Sequence, residues 1–231
     1  MRPMRSHEVV RQSLRESAAT LAETNASEMT LSACVRFADA ALETLRAGGR
    51  LFACGNGGSM SDAMHFTEEW TGRFRNDRRA LPALSFCDPV TLSCIANDFG
   101  WEEVFARQVE AHGRQGDLLL VLSTSGDSEN IVRAVRAAAE RDMVTVGLLG
   151  RQGGKVGADL DIPIVVPHAT TADRIQEVHI QMIHAVIEAV ERQLFPENYS
   201  DRASTSERIR VARVSISRRL RRASGNSRQA A

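Results

Sequence analysis

The segment Asp117-Leu-Leu-Leu-Val-Leu122 follows its aspartate with five apolar side chains in a row. A strand with one wet face alternates apolar and polar residues, so an unbroken run predicts a strand covered on both faces. Residues 50–54, 82–86, 143–149 (apolar apart from Thr145) and 162–166 read the same way. Helical patterns separate the five runs. Strand and helix in alternation predict an α/β three-layer sandwich around a five-stranded parallel sheet. Pro163 assigns the last strand to an edge, because proline cannot donate to a ladder. In such folds ligands bind beyond the carboxyl ends of the strands.

Two helices precede the first strand. Val9, Val10, Leu14, Ala18 and Leu21 recur at helical spacing over 6–25. Ser27 suits the N-cap of a second helix, whose buried stripe runs from Met29 through Cys34 and Phe37 to Leu45 and whose end is Gly48-Gly49. Both are assigned to packing or to an oligomer. Further helices are expected over about 61–74, from Asp88-Pro89 to about 99, and over 102–112, 129–141 and 172–194. The domain is expected to span 1–198. Residues 199–231 read as a basic, disordered or loosely helical tail, with Val211, Val214, Ile216 and Leu220 on one weak amphipathic face.

The formal net charge of zero conceals an asymmetry: residues 202–231 hold nine arginines and one acid, whereas 1–201 hold 20 basic and 28 acidic groups. The tail is the one segment whose charge would suit nucleic acid. Without aromatics or a binding motif it reads first as a solvated extension, and nucleic acid is otherwise not expected as a partner. No apolar stretch reaches the length of a membrane span, and the N-terminus lacks the apolar core of a secretion signal. Cys34, Cys54, Cys87 and Cys94 lie among apolar residues without CxxC spacing, as reduced thiols of a cytoplasmic protein would.

Two turns carry chemistry. In Cys54-Gly-Asn-Gly-Gly-Ser59 the glycines let backbone approach a ligand, and amides at the following helix start are free to donate. No GK[ST] follows, which excludes a Walker A loop, and the spacing is not GxGxxG. Ser123-Thr-Ser-Gly-Asp-Ser128 sets four hydroxyls around a glycine, which suits a monophosphate and equally an ordinary N-cap. After the first turn, His65 and Glu69 share a helical face. Such a pair suits zinc, a buried hydrogen bond or a solvated face. The last helix holds Gln176, Glu177, His179 and His184. Gln176 and His184 are two turns plus about 80° apart and share a broad face. Spacing alone does not join them to His65 and Glu69.

Together, CGNGGSMSDAMHFTEEWTGRF, IANDFGWEEVFARQVEAHGRQGD, LSTSGDSENI and ADRIQEVHIQMIH resemble the bacterial phosphoheptose (sedoheptulose 7-phosphate) isomerases of the SIS superfamily over about residues 8–195. The resemblance implies a homotetramer with active sites between subunits and a sugar-phosphate substrate. It implies conversion of D-sedoheptulose 7-phosphate to D-glycero-D-manno-heptose 7-phosphate. By motif position it implies that His65, Glu69, Gln176 and His184 bind one zinc per subunit, with Glu69 and His184 as the acid–base pair. It assigns Ser123, Thr124, Ser125 and Ser128 to the phosphate, and Asn56, Gly57, Gly58, Glu69, Asn97, Asp98 and Gln176 to substrate. Met60 and Asp127 depart from the family pattern, and an acid beside a phosphate must turn away from it.

Two rival readings stay open. The DnaA initiator-associating proteins are similar SIS tetramers that bind a replication initiator and lack the glutamate and final histidine retained here as Glu69 and His184. Other SIS isomerases share the phosphate cradle, so these residues leave the sugar's chain length open.

Overall fold

The computed structural model describes residues 5–167 and 171–202. The described residues up to Gln193 belong to one compact unit, and those from Leu194 belong to a second. In the first unit, helices α1 (Ser6–Asn25) and α2 (Glu28–Arg46) precede an alternating series. It runs β1 (Leu51–Gly55), α3 (Gly58–Thr71), β2 (Ala83–Ser85), α4 (Pro89–Phe99), α5 (Ala106–His112), β3 (Leu118–Ser123), α6 (Glu129–Ala139), β4 (Val144–Leu149), β5 (Ile162–Val165) and α7 (Ala172–Leu194). The sheet is five-stranded and parallel throughout, in the order β2-β1-β3-β4-β5. β5 is an edge strand, with Pro163 opposite Gly147.

That order creates a switch point. From β1 the chain steps to β2 on one side, whereas β3 lies on β1's other side. Connections leaving β1 and β3 therefore diverge, and a crevice opens between their carboxyl ends. Both chemically loaded turns fall there, since Gly55 pairs with Leu122 and Ser123 ends β3.

Both faces of the central strands are dry, as the unbroken apolar runs require, whereas β2 at the edge, expected to be covered on both faces, leaves Leu84 50% exposed. Phe52, Cys54, Leu119 and Val121 join Phe86, Phe105, Val109, Ile131 and Val135 in one buried cluster. Leu51, Ala53, Leu118 and Leu120, at alternate positions, are fully buried on the opposite face. Phe37 of α2 packs 5.9 Å from Phe66 of α3, which meets Trp70 edge-on at 5.8 Å.

Three boundaries differ from expectation. α3 begins at Gly58, not near 61, because Gly57 adopts a φ of 58° and turns the chain into the helix at once. It ends at Thr71, not near 74. The helix expected over 102–112 breaks into a 3-10 turn, Trp101–Glu103, and α5, with Val104 and Phe105 fully buried between them. The amphipathic pattern from Val211 to Leu220 lies outside the described residues. Among the described residues no helix is long and apolar enough to cross a membrane.

Candidate active site

The first turn is held by its asparagine. Asn56 Nδ2 donates to Asn130 Oδ1, and Asn130 Nδ2 donates back to Asn56 Oδ1, each at 2.9 Å. Asn130 is 2% exposed near the start of α6, so this reciprocal pair locks the turn after β1 to the helix after β3. In the second turn Ser123 Oγ accepts from Gly126 N at 3.0 Å, and Ser125 Oγ accepts from Asp127 N at 3.2 Å. Gly126 takes a φ of 71°, and a Cβ there would collide with the Gly153 carbonyl. Ser128 is the N-cap of α6 but makes no side-chain cap bond. Asp127 turns away, its Oδ1 accepting from Lys155 N at 3.1 Å.

The second group forms where α3 meets α7. His65 Nε2 lies 3.2 Å from Glu69 Oε1 and 3.1 Å from His184 Nε2. One oxygen and two ring nitrogens thus converge within 4.8 Å. Two imidazole nitrogens facing each other need either a shared proton or a shared cation. Tetrahedral zinc, with Zn–N bonds of about 2.0–2.1 Å, separates its ligand atoms by roughly 3.3 Å, so the donor set fits such an ion. Burial, then repulsion from Glu68, raises the Glu69 pKa against the bond from His65. Burial, then His65 and Arg75, lowers that of His184. Glu68 faces solvent with a side chain 63% exposed.

Gln176 lies at the first turn, its Nε2 donating to Ser59 Oγ at 3.3 Å while Gly58 passes beneath the amide. It is the link that brings α7 to the glycines. Asn97 and Asp98 are exposed at the end of α4 and bond to each other, Asn97 Nδ2 to Asp98 Oδ1 at 2.8 Å. Among the described residues no hydrogen bond joins them to the cluster. Two neighbours carried no sequence signal: Asn130 looks like an ordinary helix residue, and Asp62 like a solvated acid. Asp62 in fact keeps Oδ2 buried without a hydrogen-bond partner among the described residues. Burial pushes its pKa up to about 6 against the pull of His65.

Known proteins carry the same arrangement of elements. The SIS domain family matches residues 12–150. A phosphoheptose isomerase of Yersinia pestis is 47% identical over 188 residues, 81% of this chain and 97% of that protein. A phosphoheptose isomerase structure from Neisseria gonorrhoeae aligns at 42% identity with a TM-score of 0.74, covering 80% of this chain and 98% of that one. One from Francisella tularensis aligns at 34% identity and 0.77, covering 82% and 100%.

Proposed function

This chain belongs to the phosphoheptose isomerases, enzymes of the SIS domain family, and from that premise we propose that it converts D-sedoheptulose 7-phosphate to D-glycero-D-manno-heptose 7-phosphate, for activated-heptose biosynthesis. The observation that carries the reaction is the apposition of Glu69 and His184 on either side of His65, at 3.2 and 3.1 Å. These two are the acid–base pair. One proton leaves C1 of the ketose while the C2 oxygen gains one, giving the cis-enediol. Delivery of a proton to C2 and loss of the O1 proton then complete the aldose. Glu69 meets His65 through Oε1, which leaves Oε2 to exchange a proton. Burial raises the Glu69 pKa, whereas burial with His65 and Arg75 lowers that of His184, so the two environments push the pair's proton affinities toward each other.

His65, Glu69 and His184 would hold one zinc per subunit, with Gln176 as a fourth ligand released from Ser59, and the ion would polarise the sugar oxygens. Ser123, Thr124, Ser125 and Ser128 take the phosphate. Asn56, Gly57, Gly58, Asn97, Asp98 and Gln176 take the sugar body. We place the enzyme in the cytoplasm as a homotetramer with sites between subunits. Exposed Val9, Val10 and Leu14 on α1 and Leu31 and Val35 on α2 support subunit packing, and four free cysteines suit a reducing compartment. Asn97 and Asp98, which no hydrogen bond joins to the cluster among the described residues, suit a site completed by a neighbour.

The test is incubation of the purified protein with sedoheptulose 7-phosphate and shorter ketose phosphates. The heptose 7-phosphate should appear, vanish with a chelator and return with zinc. No aldose from sedoheptulose 7-phosphate would sink the reading.

A further inference from the structure

One buried ion pair joins the two helices that carry the reacting groups. Arg78 follows α3 and Glu191 belongs to α7; their side chains are 1% and 2% exposed, with Nε and Oε1 2.7 Å apart. The same guanidinium donates from Nη2 to the Glu69 carbonyl at 2.6 Å. From Nη1 it donates to the carbonyls of Trp70 at 2.7 Å, Gly72 at 3.1 Å and Arg79 at 3.1 Å. Glu69 and Trp70 are in the last turn of α3, where carbonyls have no partner inside the helix. A cation there also meets the negative end of the helix dipole.

On α7, His184, Glu188 and Glu191 are four and three residues apart and form one stripe. Each meets the α3 side. His184 faces His65, Glu188 meets Arg75 at 2.6 Å, and Glu191 meets Arg78. The middle contact is partly exposed, at 31% and 26%, and such pairs hold little. The last is dry, and removing one partner would strand a charge in the interior. An apolar contact at this place would set helix separation but permit sliding. A planar fork bonded to successive carbonyls and to Glu191 fixes rotation and register as well.

We propose that Arg78 and Glu191 are positioning residues for the isomerase: the buried guanidinium fixes the last turn of α3, and with it Glu69, against the stripe of α7 that presents His184. The inference rests on the reading of His65, Glu69 and His184 as the reacting, metal-binding cluster. The Arg78 guanidinium meets the Glu69 main-chain carbonyl and Glu191 holds that guanidinium, so both act through the backbone that carries the cluster.

The test uses the full chain with Glu191→Ala, Glu191→Gln and Arg78→Lys. Zinc affinity is measured by competition with a chromophoric chelator, the visible spectrum is recorded with cobalt in place of zinc, and kcat and KM are determined separately. Circular dichroism melts set the assay temperature well below each transition. Glu191→Ala and Arg78→Lys are expected to weaken zinc binding and lower kcat by about 10–100-fold, the range seen when groups that orient metal ligands are removed. KM should change little and the cobalt spectrum should shift. Glu191→Gln, which keeps an oxygen opposite Arg78 Nε, should recover most of the loss. If Glu191→Ala fails to fold, Arg78→Lys decides alone. Folded variants with unaltered zinc affinity, cobalt spectrum and kcat would overturn the positioning role and leave the pair as a stabilising contact. Should the unaltered protein neither bind zinc nor turn over sedoheptulose 7-phosphate, the reading of the cluster fails first, and the inference falls with it.

Discussion

Helix α7 carries two histidines five residues apart, and at about 100° per residue they diverge by roughly 140° around its axis. Spacing alone offers no way to rank them; position in the fold does. His179 is fully buried, its Nε2 3.3 Å from the Leu149 carbonyl, and burial lowers its pKa to about 4. Its folded pKa lies below the ordinary 6.5, so the fold prefers the neutral ring. That preference costs nothing above pH 6.5, where both states are neutral. As pH falls from 6.5 to 4 the unfolded chain takes up a proton that the folded one refuses, so stability drops by about 3 kcal/mol in total. Chemical denaturation from pH 7 to 4.5 should show that slope, and His179→Gln should flatten it even if it lowers stability overall. His184 turns the other way, to His65, and its role is tested through rate. Glu69→Gln and His184→Ala should each lower kcat by about 10²–10⁴-fold, the usual scale of a lost acid or base, with melting temperatures little changed. Near-normal turnover in both would remove the acid–base assignment.

Among the elements, the central strands were the most legible, because dry parallel strands must be apolar without interruption; β2, at the edge, is three residues long and partly exposed. Two helix starts, those of α3 and α5, were misread. The start of α3 depends on Gly57's positive φ, and nothing in local periodicity distinguishes Gly58 as helix from Gly58 as loop. Gly58 also has a tertiary reason to be glycine: a Cβ would lie 2.6 Å from Gln176 Oε1 and 2.8 Å from Nε2. Gly58→Ala must push the end of the Gln176 side chain off Ser59, and with it a group of the proposed site. Misplacement on the order of 1 Å can cost about 10²-fold, so kcat/KM for sedoheptulose 7-phosphate should fall by up to that factor in a protein that still folds. An unchanged kcat/KM would mean that the contact between α7 and the first turn is incidental. The Asn56–Asn130 pair went unread for the same reason as the contact at Gly58. The partners are 74 residues apart, and a satisfied buried amide leaves no periodic trace.

At the scale of the whole molecule, the alternation of elements was legible but the strand order was not. Hydrophobic runs say how many strands are buried, whereas the placement of β2 and β3 on opposite sides of β1 follows from packing. That placement brings the two turns to one crevice, just as α7 brings His184 to His65 across 119 residues of chain. Every group in the proposed site precedes residue 185, and 188 residues of this chain align with 97% of the Yersinia pestis relative. The arginine-rich segment after residue 202 lies outside the described residues. We therefore expect the chain ended at Arg202, which keeps the buried Tyr199, to hold kcat, KM and melting temperature close to those of the full chain. Steady-state kinetics and calorimetry on the two proteins side by side check this. A truncated protein that folds but loses turnover would make the basic segment part of the catalytic body. One that keeps turnover but loses affinity for a nucleic acid or a replication initiator would give the segment a separate binding role, with catalysis confined to the SIS domain.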